Sequence, residues 1–230
     1  MDIQLHYTLQ GNGFPLLLLH GNGENSEYFS SQIAAFSCDF QVCAIDTRGH
    51  GQSPMGTAPF TLSQFADDLL HFMDQHELEQ ADILGFSDGG NIALLFALRY
   101  PERVHRLILN SANLYPEGLE PWLLESIAED RRQLHFSDAE DKHYRIALLD
   151  LMLNEPHIDP ASLSALTMPT LVIAGDRDIV QFEHTLLIAE SIPNARLAIL
   201  PGGHDVAAVH PDAFNQAVLA FLEETEEETL

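Results

Sequence analysis

A serine stands between glycines in Gly85-Phe86-Ser87-Asp88-Gly89-Gly90, where an apolar stretch over 81–86 gives way to a helical one over 88–99. This G-x-S-x-G spacing, in a strand–turn–helix setting, suits a nucleophile. A sharp turn lifts the hydroxyl above the strand ends. Residues two before and two after it then crowd together, and only the smallest side chains fit. The helix N-terminus just beyond favours negative charge developing at a reacting oxygen. A serine hydroxyl is a weak nucleophile unaided, so the chain must also supply a base.

In elbows of this kind the partners follow in the order serine, acid, histidine. Gly202-Gly203-His204 meets that order, in a loop between the apolar run 197–200 and the last helical segment. The other histidines fit less well: His20 opens a different motif, His50 precedes the serine, and His184 lies in a helix. The acid is expected after the apolar run 171–174, where Gly175-Asp176-Arg177-Asp178 offers two carboxylates. Spacing alone does not separate Asp176 from Asp178. Asn110-Ser111-Ala112-Asn113, after the preceding run, offers no acid. The chemistry implied is acyl transfer to water, with Ser87 attacking a carbonyl, His204 taking its proton and an aspartate holding the imidazole tautomer.

These residues need a scaffold. Short continuous apolar runs recur at 14–19, 42–45, 83–86, 107–109, 171–174 and 197–200, as expected of parallel strands buried on both faces. Helical patterns alternate with them at about 24–36, 61–76, 88–99, 181–191 and 211–223. The third is apolar nearly all round and stops at Tyr100-Pro101, because proline cannot continue a helix. The alternation predicts an α/β fold with a mostly parallel sheet and helices on both faces. Residues 3–9 are expected to add an antiparallel edge strand. The stretch of about 113–166 departs from the alternation and reads as a small helical cap inserted between strands. It holds Trp122, a candidate to line an acyl pocket.

At 230 residues the chain fits one domain, with the cap as an insertion. No apolar run approaches the roughly 20 residues of a membrane helix. The N-terminus lacks a basic region followed by an apolar one, so cytoplasmic residence is expected. The two cysteines, Cys38 and Cys43, imply neither a disulfide framework nor a zinc site. The formal charge of -25, from 10 Lys plus Arg against 35 Asp plus Glu, repels nucleic acid and anionic membranes. A small-molecule substrate remains the expected partner; nothing calls for a metal or an organic cofactor, and oligomeric state is unreadable. Five glutamates crowd an acidic tail over about 223–230, expected to be a frayed helix end or a disordered stub.

Several motifs together carry a family resemblance. They are His20-Gly21-Asn22-Gly23, Asp46-Thr47-Arg48-Gly49-His50-Gly51-Gln52-Ser53, the serine elbow, Gly175-Asp176-Arg177-Asp178 and Gly203-His204. In this order, across nearly the whole chain, they resemble the α/β-hydrolase fold. The resemblance implies Asp178 as the acid, three residues after the glycine, and leaves Asp176 a loop residue. It implies an oxyanion hole formed by the backbone N–H groups of Asn22 and Asp88, and a supporting role for His20 and the Arg48 loop. The elbow, with residues 109–119 downstream, is similar to the valacyclovir hydrolase (biphenyl hydrolase-like) branch. That likeness implies an Asp88 side chain that meets a substrate amine. The expected function is a serine hydrolase cleaving a small ester or related acyl bond through an acyl-enzyme. The alternatives are carbon–carbon bond or lactone hydrolysis, thioester cleavage, acyl transfer, perhydrolysis, or a ligand-binding member of the fold without catalysis.

Overall fold

A computed structural model describes residues 2–227 of the chain, with side chains through residue 223. The strands are β1 (Tyr7–Gln10), β2 (Phe14–Leu19), β3 (Phe40–Ile45), β4 (Ala81–Phe86), β5 (Val104–Asn110), β6 (Thr170–Gly175) and β7 (Ala195–Leu200). They form one seven-stranded sheet in the order β1-β3-β2-β4-β5-β6-β7. Only the edge strand β1 runs antiparallel, against β3; the other pairings are parallel. The edge strand expected over 3–9 is thus present, shifted toward 10 in the chain.

The helices are α1 (Ser30–Phe36), α2 (Leu62–Gln75), α3 (Asp88–Arg99), α4 (Pro121–His135), α5 (Lys142–Asn154), α6 (Phe182–Ser191), α7 (Val206–Val209) and α8 (Pro211–Glu227). Their distribution follows from the period-two alternation of strand side chains. Leu17, Leu19, Ile83, Leu107 and Leu109 face a core shared with α2, α3 and α6. Their neighbours Leu16, Leu18, Leu84 and Ile108 face a second core shared with α1 and α8. Both faces are covered, so the central strands read as unbroken apolar runs. The run 197–200 was expected to be buried in the same way, but β7 is the outer strand of the sheet. It has a neighbour on one side only, and Leu197 is 37% exposed.

Between β5 and β6 the chain leaves the sheet, and α4 and α5 pack against each other there. The β3–α2 connection is anchored by Arg48, whose buried guanidinium grips Asp68 with two hydrogen bonds of 2.7 Å and reaches Asp2 at 2.8 Å. Among the described residues no helix is long and apolar enough to cross a membrane. Of the acidic tail expected over about 223–230, the helix backbone extends to Glu227; the side chains of 224–230 and the whole of 228–230 lie outside the described residues.

Candidate active site

Gly85 and Gly89 explain the elbow. A β-carbon on Gly85 would lie 2.2 Å from the Gly89 carbonyl oxygen, and one on Gly89 would lie 2.0 Å from that of Leu19. Their absence lets β2, β4 and the start of α3 close on one another. Ser87 between them adopts φ +54° and ψ -119°, a strained conformation for a non-glycine residue. Hydrogen bonds of its backbone hold it there: its N–H donates to the Asn110 carbonyl at 2.8 Å, and its carbonyl accepts from Asn91 at 3.0 Å. Gly89→Ala is expected to destabilise the fold by about 1–3 kcal/mol, the usual cost of forcing extra volume into a packed site. A urea titration checks this; an unchanged midpoint would mean the elbow has room that its backbone does not reveal.

The elbow points Ser87 at the loop after β7. His204 Nε2 lies 3.0 Å from Ser87 Oγ, and His204 Nδ1 lies 2.7 Å from Asp178 Oδ1. The three side chains come from the ends of β4, β6 and β7, which the parallel sheet brings to one edge. Phe86 packs against the imidazole with ring centroids 4.9 Å apart, and Tyr28 stacks on Phe86 behind it. Asp178 also accepts from Ser111 Oγ at 2.6 Å and from the Val180 N–H at 3.1 Å. Burial pushes its carboxyl upward, but the hydrogen bonds and charge of His204, with the Ser111 and Val180 bonds, outweigh that and hold it below the ordinary carboxylate value. Its charge is therefore available to an imidazolium.

Asp176 is differently placed. Its side chain is half exposed, beside Arg177, and accepts from the Gly202 N–H at 2.9 Å. It pins the loop that carries His204 and makes no bond to the imidazole.

Asn22 and Asp88 meet on the opposite side of the elbow. Asn22 Nδ2 donates to Asp88 Oδ2 at 2.9 Å and to the Leu148 carbonyl of α5 at 3.1 Å. Asn91 Nδ2 reaches Asp88 Oδ1 at 3.4 Å and Asn113 at 3.0 Å. Asp88 is 8% exposed, and burial raises its pKa despite the hydrogen bond from Asn22. The carboxylate expected to meet a substrate amine is thus covered, with both oxygens engaged. The backbone N–H of Asp88, the first residue of α3, has no intrahelical acceptor and is free to serve an anion. Behind the Asn22 loop, His20 accepts the Thr47 N–H at Nε2 and donates from Nδ1 to the Gly21 carbonyl. Burial and the neighbouring His50 lower its pKa to about 4, so it stays neutral as a brace.

A cavity of about 560 Å³ is lined by Asn22 together with residues of α4 and α5. Leu134, Leu148 and Leu149 supply its apolar wall, and Asp130, Gln133, Ser137 and Arg145 its polar one. Trp122 is outside this set, 59% exposed in the first turn of α4.

Two side chains in this arrangement escaped the motif reading. Ser111, in a stretch that holds no acid, meets Asp178 because β5 and β6 are neighbours, and it adopts φ +56° there. Asn91 is a buried polar residue ahead of the apolar run 92–98 of α3, and that placement was a signal. Ser111→Ala is expected to lower kcat about tenfold, since a hydrogen bond to a charged group contributes about 1.5–3 kcal/mol and only part of that bears on the reaction. Steady-state kinetics beside a melting curve tests it; an unchanged kcat would make the bond structural.

Comparison with known proteins bears on this geometry. A family model described as the alpha/beta hydrolase fold matches residues 15–156, more than half of the chain. The chain belongs to the alpha/beta hydrolase fold family. Among its relatives in this family is an Azorhizobium caulinodans protein named as a carbamate hydrolase, RutD, 29% identical over 98% of this chain and 97% of that one. A 2-hydroxymuconate semialdehyde hydrolase of Pseudomonas putida is 31% identical over 94% and 90%. The alpha/beta hydrolase architecture recurs in the solved structure of a hydrolase from Pseudomonas aeruginosa PA01, with TM-score 0.80 and 29% identity over 96% of this chain and 94% of that one.

Proposed function

We propose that this hydrolase uses Ser87 as nucleophile, His204 as general base and Asp178 as the supporting acid, cleaving a small ester or related acyl bond through an acyl-enzyme. The observation that carries the reading is the continuous chain from Ser87 Oγ to His204 Nε2 at 3.0 Å and from Nδ1 to Asp178 at 2.7 Å. Ser87 Oγ adds to the carbonyl carbon as its proton passes to His204 Nε2. The oxyanion takes the backbone N–H groups of Asn22 and Asp88, which need no reorganisation as charge develops. Collapse expels the leaving group with the proton from His204. Water then adds to the acyl-enzyme with His204 again as base, and the released acid regenerates Ser87.

In this reading the α4–α5 insertion is a cap, and its cavity takes the acyl portion. The volume suits a small substrate. Relatives named as a carbamate hydrolase and a 2-hydroxymuconate semialdehyde hydrolase leave the bond cleaved open within the hydrolase reading. The finer likeness to the valacyclovir hydrolase branch would require the Asp88 carboxylate to meet an ammonium. Its burial under Asn22 and Asn91 argues against that contact.

A fluorophosphonate probe tests the reading. Covalent labelling at Ser87, located by peptide mass, together with turnover of a p-nitrophenyl ester is the expected result. Failure of both in folded protein would leave a ligand-binding member of the fold.

A further inference from the structure

We propose that Arg145 recognises a carboxylate on the acyl portion of the substrate, so that the substrates of this site are acids esterified or lactonised at one end and free at the other. The inference rests on the hydrolase reading above and narrows it to a substrate class.

The first observation is the economy of positive charge. The chain has nine arginines in a molecule of formal charge -25. Arg48, Arg99, Arg103, Arg106, Arg131, Arg132 and Arg177 each pair with a carboxylate. Arg196 is also engaged. Among the described residues Arg145 is the arginine whose side chain is left without an ion pair or a hydrogen bond, although acids outnumber bases several-fold. Asp130 lines the same cavity, yet the two make no ion pair.

The second observation is where that free guanidinium stands. Arg145 lines the same cavity as Asn22. It lies three residues before Leu148 on α5, and Leu148 is the residue whose carbonyl holds the Asn22 side chain. Positions three apart on a helix share a face, with β-carbons about 5–6 Å apart. Arg145 therefore stands about one helical turn from Leu148, the residue that holds the loop carrying a proposed oxyanion donor. A substrate carbonyl at that loop and a carboxylate at Arg145 would be joined by a short chain, with Leu148 and Leu149 packing along it.

The third is chemical fit. A guanidinium offers paired donors in a planar fork that matches a carboxylate. In a molecule whose overall field repels anions, a carboxylate can be selected only by a local cation of this kind.

The experiment compares mono-p-nitrophenyl glutarate with p-nitrophenyl valerate, which have equal chain length and differ in the terminal carboxylate. After subtraction of uncatalysed hydrolysis, wild type is expected to favour the glutarate ester by about threefold to fivefold in kcat/KM, the scale of a charge pair at an exposed arginine such as Arg145. Arg145→Met should remove most of that ratio and Arg145→Lys should keep part of it. Arg132→Met, an exposed arginine of α4 outside the cavity, should leave the ratio alone. No preference in wild type, or a ratio unchanged in Arg145→Met, overturns the proposal. Binding of free glutarate, followed by calorimetry, separates this inference from the reaction. Glutarate bound by wild type and lost in Arg145→Met supports the site even if neither ester turns over, in which case only the hydrolase reading falls. Absence of glutarate binding, or equal binding by Arg145→Met, overturns the site.

Discussion

Ser87→Ala is expected to fold as the wild type does and to lose about four or more orders of magnitude in kcat, as in other deletions of a triad nucleophile. The structural reason is that the proposed covalent path begins at one atom. Ser87 Oγ is the oxygen His204 Nε2 faces at 3.0 Å, and it stands on a turn whose neighbouring glycines allow no detour. Alanine keeps the β-carbon, so the strained backbone at φ +54° is neither relieved nor worsened. Stability should hold while turnover falls. What activity survives would come from the oxyanion donors acting on a water molecule. Near-normal ester hydrolysis by pure Ser87→Ala protein would remove the serine from the mechanism. A loss of turnover accompanied by a collapse in melting temperature would make the serine structural.

The second large effect separates two aspartates that lie two residues apart. Asp178→Asn is expected to lower kcat by about 10³–10⁴, because an amide in that place can present a donor to Nδ1 and favour the wrong imidazole tautomer. Asp178 is held by three hydrogen bonds and buried, so the substitution also removes the charge that would face an imidazolium. Asp176→Asn keeps an oxygen that can accept from the Gly202 N–H, and its half-exposed position softens any electrostatic change. Its expected cost is less than about tenfold, on the scale of one weakened hydrogen bond. Parallel kcat measurements on the two variants decide the matter. Reversed effects would transfer the acid role to Asp176.

Much of the fold was readable because burial on both faces forces an unusual sequence. A strand with helices above and below must be apolar at every position, and 14–19, 83–86 and 171–174 are so. The same signal misled at 197–200, since an apolar run does not reveal how many neighbours a strand has. The elbow was legible because its steric demand selects glycine at two fixed offsets. The choice between Asp176 and Asp178 came only from the family resemblance and not from spacing, because both sit in one turn and its path in space sends one inward and the other to Gly202. Ser111 was hidden for a related reason: its partner is 67 residues away, and their meeting depends on β5 and β6 lying side by side. Arg145 and Leu148 fall in the expected helical insertion, but their contacts were not legible. Both lie on α5, which packs on α4, and neither has a local motif that says which residue of the sheet it will meet.

The Asn22 side chain spends one amide group on two bodies. One hydrogen bond ties it to Asp88 at the root of α3, the other to the Leu148 carbonyl in the middle of α5. That carbonyl has a second lone pair, so it can serve its own helix at the same time. The loop beside the nucleophile is therefore tethered both to the sheet domain and to the roof above it. Any rocking of the roof that lengthens the second bond loosens a segment one residue from Gly21. A displacement of α5 that broke the Leu148 bond would leave the Asn22 side chain with Asp88 as its one remaining hold.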